Sequence, residues 1–296
     1  MAGWIDRWRA ATVAIGRIEE GRAQSASGRA SARRFFTVVG TGVLFSLYRS
    51  RGTMTWLVTA KHVLFDPEQQ WSPSSLGILF PRSPRGRMVQ ALEIALRDGR
   101  TGRRRWFAHP DKSVDLACLP LPLSVRPGRR NHPSSIAWMD IATTADLYEG
   151  APVVVLGYPA VLNLPDWPCA IVRQGILSWV SPTSPGSQVF VIDSHVFPGN
   201  SGGPVFRLPT AMDRRGHLTV GGPVTLLGIV SQASIQSLPL LAGGKQVELH
   251  FRGRKAPEPL LARSFLGLGM VEPAYRIKQL LIAVSQAYRR RRRPHR

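Results

Sequence analysis

Three short segments of this 296-residue sequence carry residue types that could act together on a carbonyl carbon. The first is Phe197-Pro-Gly-Asn-Ser-Gly-Gly-Pro-Val205. A serine hydroxyl is a weak nucleophile until a base takes its proton, and the oxyanion formed on attack needs donors already in place. Glycines on both sides of Ser201 allow a tight turn, so Gly199, Asn200 and Ser201 form a candidate oxyanion hole, with the Gly199 and Ser201 N–H groups as its donors. Taken alone, Gly-Asn-Ser-Gly-Gly could be an ordinary turn, the less favoured reading for a string this long. The second segment, Trp56-Leu-Val-Thr-Ala-Lys-His62, is an apolar strand ending in a histidine. The imidazole of His62 could accept the Ser201 proton and return it to a leaving amine. A lone histidine there would more often be structural, and its pairing with the serine string gives it a role. The third segment, Val114-Asp115-Leu-Ala-Cys-Leu-Pro120, opens an apolar strand with an acid suited to hold His62 in one tautomer. Asp111 competes for that part but sits in a polar, loop-like context beside Lys112 and Ser113.

The elements that must position these groups are short runs of β-branched and aromatic residues between Gly, Pro and Ser signals. They include Phe35–Val39, Gly42–Ser46, Thr55–Thr59, Pro152–Leu156, Gln188–Ile192 and Val224–Val230. This pattern predicts an all-β body, sandwich or barrel. Helical periodicity stands out once: after Pro273, residues Ile277, Leu280, Leu281 and Val284 share a face. Loops or inserts are expected at Gln24–Arg34, at Arg97–Arg105 with Arg126–Ser135, and at Leu238–Ala262. Five consecutive arginines, Arg289 to Arg293, should repel one another and stay disordered when unbound.

The order histidine, aspartate, serine resembles that of the trypsin-like peptidases, and the surrounding residues are similar to the bacterial HtrA/Deg branch. Gly40-Thr-Gly-Val-Leu-Phe45, Gly150-Ala-Pro-Val-Val-Val-Leu-Gly-Tyr-Pro159, Arg173–Ser178, Leu227–Ser231 and Gly267-Leu-Gly-Met270 each resemble a strand of that family, over about residues 35 to 285. The resemblance implies two antiparallel six-stranded β-barrels of chymotrypsin type with a C-terminal helix. The expected division is 1–34 as an N-terminal segment with a flexible loop, 35–140 as the first barrel with His62 and Asp115, 141–271 as the second with Ser201, and 272–296 as helix and basic tail. It further implies a serine endopeptidase acting through an acyl-enzyme on Ser201, with substrate backbone added as a strand along Ser231, Gln232 and Ala233. His195 falls where the family places the floor of the primary specificity pocket, as a polar or acid-accepting group or as part of the wall. Asn200, in place of the aspartate of digestive trypsins, argues against activation by N-terminal clipping. No PDZ domain is expected after the helix. A catalytically silent adaptor that binds peptides or polyanions on the same fold is the other reading.

Composition bears on partners and compartment. Lys+Arg 39 against Asp+Glu 18 gives a net charge of +21, which favours acidic partners such as nucleic acid or another polyanion at the Arg-rich segments. With no propeptide in view, a regulatory protein partner that keeps the enzyme latent or recruits it is expected. Charges at Asp6, Arg7 and Arg9 interrupt any signal-peptide core, and no run of 18 apolar residues offers a membrane span. Two cysteines, Cys118 and Cys169, read as reduced thiols of a cytoplasmic protein. No cofactor and no metal are expected, since no residues have metal-ligand spacing.

Overall fold

A computed structural model of the chain describes residues 3–24, 30–49, 52–81, 89–125, 134–162, 169–183, 188–208, 211–212, 217–239, 241–242, 245–246, 250–251, 254–255 and 261–291. The first unit is one antiparallel sheet of seven strands: β1 (Thr12–Gln24), β2 (Ala30–Arg49), β3 (Gly52–Ala60), β4 (Ser75–Pro81), β5 (Val89–Ala95), β6 (Phe107–Ala108) and β7 (Leu116–Val125). Their order is β5-β4-β1-β2-β3-β7-β6. The edge strands meet at one corner, where Arg97 bridges Arg104 and the Arg105 N–H donates to Leu96 O at 3.0 Å. The unit is therefore a curled half-barrel of seven strands where six in a closed barrel were expected. A two-residue β6 is too short to pair further with β5.

The second unit is a closed barrel of β8 (Pro152–Gly157), β9 (Ile171–Trp179), β10 (Phe190–Asp193), β11 (Pro204–Arg207), β12 (Thr225–Pro239) and β13 (Leu261–Pro273), closing in the order β10-β13-β12-β11-β8-β9. Among the described residues, three α-helices complete the frame: α1 (Trp4–Ala10), α2 (Lys61–Leu64) and α3 (Ala274–Arg291). The architecture is chymotrypsin-like, mostly β, with a C-terminal helix.

Packing explains why the strands read as continuous apolar runs rather than clean alternations. Leu44, Leu57 and Leu119 fill the first unit, while Val153, Val155 and Val230 fill the second. The other faces of the same strands, with Phe45, Trp56, Leu116, Val154, Leu156, Phe206 and Ile229, form a third core between the units. Both faces are buried, so both are apolar. On α3 the predicted face, Ile277, Leu280, Leu281 and Val284, packs into this middle core with at most 3% exposure.

Several boundaries differ from the sequence reading. Residues Trp4–Ala10 and Thr12–Gln24, set apart there as an N-terminal segment, form α1 and a central strand of the first sheet. Trp8 of α1 lies 4.4 Å from the Phe206 ring of β11. Within the expected loop Gln24–Arg34, Ala30–Arg34 pair in register with Glu20–Gln24. Arg97–Arg105 is an ordered hairpin whose turn is held by Asp98, which accepts the Arg100 and Thr101 N–H groups. Leu238 and Ala262 pair as the outer rungs of β12 and β13. The arginine run is helical as far as Arg291, because α3 continues through it; residues 126–133 and 292–296 lie outside the described residues. No helix among the described residues is long and apolar enough to cross a membrane.

Candidate active site

Antiparallel pairing of β3 with β7 sets the site. Ala60 pairs with Leu116, so the residues just after β3 and just before β7 share one edge. The Lys61 N–H donates to Asp115 O at 3.2 Å, and His62 follows on the first turn of α2. Asp115 then meets His62 twice: Oδ1 accepts the His62 N–H at 3.0 Å, and Oδ2 lies 2.7 Å from Nδ1. Both side chains are about one-third exposed or less, at 35% and 27%. With the proton on Nδ1 donated to Asp115, the lone pair of Nε2 is left for another donor. Asp111, the competing acid, is committed to its own turn. Its Oδ1 accepts the Ser113 hydroxyl and N–H, and those bonds, the hydroxyl first, hold its carboxyl below the usual range.

Ser201 sits in the turn entering β11, half-buried. Gly199 (φ +92°) and Gly202 (φ +86°) occupy the left-handed region, where any side chain is strained. A Cβ on Gly199 would also collide with Tyr158 and Ala160, and one on Gly202 with Thr41 and Thr59. Gly40 of β2 packs between the Val63 side chain, next to His62, and the Ser201 main chain. The serine turn is thus pressed onto the edge of the first unit that carries His62. The Asn200 N–H is spent on Phe197 O at 3.0 Å, whereas the Gly199 and Ser201 N–H groups have no acceptor among the described residues. The Ser201 hydroxyl likewise forms no hydrogen bond among them.

Thr41 joins these parts and has no counterpart in the sequence reading. Fully buried on β2, it donates its N–H to Ser201 O at 2.8 Å and its hydroxyl to Gly199 O at 2.7 Å. The same hydroxyl accepts the Tyr158 N–H at 3.0 Å. A second residue unforeseen from sequence is Glu272, 2% exposed at the end of β13, whose Oε1 accepts the Asp115 N–H at 2.9 Å. Its signal was an acid inside the apolar stretch Met270-Val-Glu-Pro273.

The candidate substrate residues lie on the second barrel. Pairing of β11 with β12 ends at Pro204–Ile229, and Val230 is tied to Gly202 and Gly203. Beyond it, Ser231, Gln232 and Ala233 meet β13 on one edge only, and the other edge has no strand partner among the described residues. Ser231 is buried, with its hydroxyl on Met270 O at 3.2 Å, and Gln232 is exposed. His195 is exposed, and its carbonyl accepts Arg173 Nη1 at 2.7 Å. Its neighbour Val196 is the buried one, against Gly269.

Cys118 and Cys169 are both free thiols; burial pushes Cys118 far up, away from reactivity. No group of three His, Cys, Asp or Glu side chains among the described residues is arranged as metal ligands. A family model described as a trypsin-like peptidase domain matches residues 40–210, more than half of the chain. No curated protein matches it.

Proposed function

This chain belongs to the trypsin-like peptidase family, and from that premise we propose that it is a serine endopeptidase with His62, Asp115 and Ser201 as its triad. The observation that carries the reading is the doubly bonded His62–Asp115 pair beside a serine turn with two unspent N–H groups. Ser201 Oγ attacks the scissile carbonyl while His62 Nε2 takes its proton. The tetrahedral oxyanion settles on the Gly199 and Ser201 N–H groups. Collapse breaks the C–N bond, and His62 gives its proton to the departing amine. Water then attacks the acyl-enzyme by the same route in reverse roles, releasing the acid and restoring Ser201. Asp115 keeps the imidazole in the tautomer this requires and stabilises the imidazolium. Asn200 shapes the turn without donating, because its N–H is already bonded.

Substrate enters as an extended strand on the open edge of Ser231, Gln232 and Ala233, where main-chain pairing gives affinity without regard to sequence. Val196, rather than the exposed His195, is the residue that packs into the barrel core against Gly269.

A fluorophosphonate probe tests the reading on the purified protein beside Ser201→Ala and His62→Ala. Labelling that disappears in both variants is the expected result. A folded parent that stays unlabelled, yet binds unfolded peptide, would transfer the fold to the adaptor reading.

A further inference from the structure

Asp115 has two main-chain groups at a point where strand pairing has not yet begun. Its carbonyl is taken by the Lys61 N–H of the same unit. Its N–H is taken by the Glu272 carboxylate, which reaches across from the last strand of the other unit. Glu272 follows β13 to its end, pairs with Ile229 of β12 and is buried on all sides. A buried strand position with such neighbours would ordinarily hold an apolar side chain, because an acid there loses its hydration. Burial accordingly pushes the carboxyl above its usual range, against the Asp115 N–H and the cations Arg276 and Lys61, which pull it down. Arg276, in the first turn of α3, approaches Oε2 at 3.8 Å.

Building on the triad reading above, we infer that Glu272 is a positioning residue for the triad: its carboxyl oxygen fixes the main chain of Asp115 from the second unit. The catalytic acid is thereby referenced to the barrel that carries Ser201, and not only to the strand from which it grows. Four bonds then define Asp115: carbonyl to Lys61, N–H to Glu272, and both carboxylate oxygens to His62. Losing the Glu272 acceptor leaves a partly buried N–H without its partner and frees the peptide plane to rotate. The Asp115–His62 geometry loosens with it, although neither partner has been changed.

The chemistry asks for an acceptor at this place, which separates two substitutions. Glu272→Gln keeps an acceptor oxygen, while Glu272→Met keeps the volume and removes it. Glu272→Leu serves as a second apolar variant should Met fail to fold. Each is compared with the parent well below its melting temperature. Two quantities are read: the rate of fluorophosphonate labelling, and the downfield Hδ1 resonance of His62 in histidine-labelled protein. We expect Glu272→Gln to keep the resonance and to label within about threefold of the parent. The apolar variant should label roughly tenfold to a hundredfold more slowly, in line with a displaced catalytic group, and its resonance should broaden or move. A folded apolar variant with parental rate and resonance overturns the inference. So does a Gln variant that fails as badly as Met, since that would make the charge and not the acceptor the working element. If the parent itself takes no label, the peptidase reading falls, while the His62 resonance still reports whether Glu272 holds Asp115.

Discussion

Thr41 is the residue on which the serine turn hangs. One side chain and its own peptide satisfy Ser201 O, Gly199 O and the Tyr158 N–H, while Thr41 O in turn accepts the Thr59 hydroxyl at 2.7 Å. Valine has the same shape and none of the hydroxyl's bonds. Thr41→Val strands a buried acceptor and a buried donor, each costing about 1–3 kcal/mol. The expected outcome is a lowered melting temperature together with slower labelling of Ser201, because the carbonyl that anchors Gly199 is released. Thr41→Ser keeps the hydroxyl and should restore most of both. A valine variant with parental melting and labelling would show the turn to be held by its glycines alone. Nothing in the string Gly40-Thr-Gly42 announces this duty, since Tyr158, Gly199 and Ser201 stand more than a hundred positions away and meet Thr41 only when the two units close.

At the scale of elements, the parts that were legible were those whose signal is local. Apolar runs ending in turn residues gave β3, β8, β10 and the start of β12, and period-3.6 spacing gave the buried face of α3. What stayed hidden was decided by partners. β1 begins with Thr12-Val-Ala-Ile15, buried on both faces, but continues through Arg17, Glu19 and Glu20, so its outer half carries no apolar strand signal. The Arg97–Arg105 hairpin reads as a charged insert until Asp98 is seen capping its turn and Arg104 stacking on the Phe65 and Trp106 rings at 4.7 and 5.0 Å. Helix α3 gives this scale a test, since one face is core and the other is solvent. Leu280→Ala removes a fully buried side chain and should cost about 2–5 kcal/mol, whereas Ile282→Ala, at 47% exposure, should stay within about 0.5 kcal/mol of the parent. Chemical denaturation of both variants measures the difference. Equal effects would mean that the helix does not pack as described.

The whole molecule has three apolar layers, and the middle one belongs to neither unit alone. Trp8 of α1, Phe45, Trp56 and Leu116 of the first sheet, Val154, Phe206 and Ile229 of the barrel, and Leu281 of α3 are one contiguous cluster. Polar bonds cross the same seam at Thr41 and at Glu272. Units joined by small polar contacts move and melt independently, while a large apolar interface couples them. The site needs that coupling, because His62 and Asp115 stand on one side of the seam and Ser201 on the other. The two units should therefore unfold in one transition. Urea curves followed by tryptophan fluorescence and by far-ultraviolet dichroism are expected to superimpose, and labelling of Ser201 should vanish over the same range. Two separated transitions, with label lost in the first, would mean that the seam opens while both units remain folded. The middle layer would then be a hinge, and its apolar surface would face water whenever the site came apart.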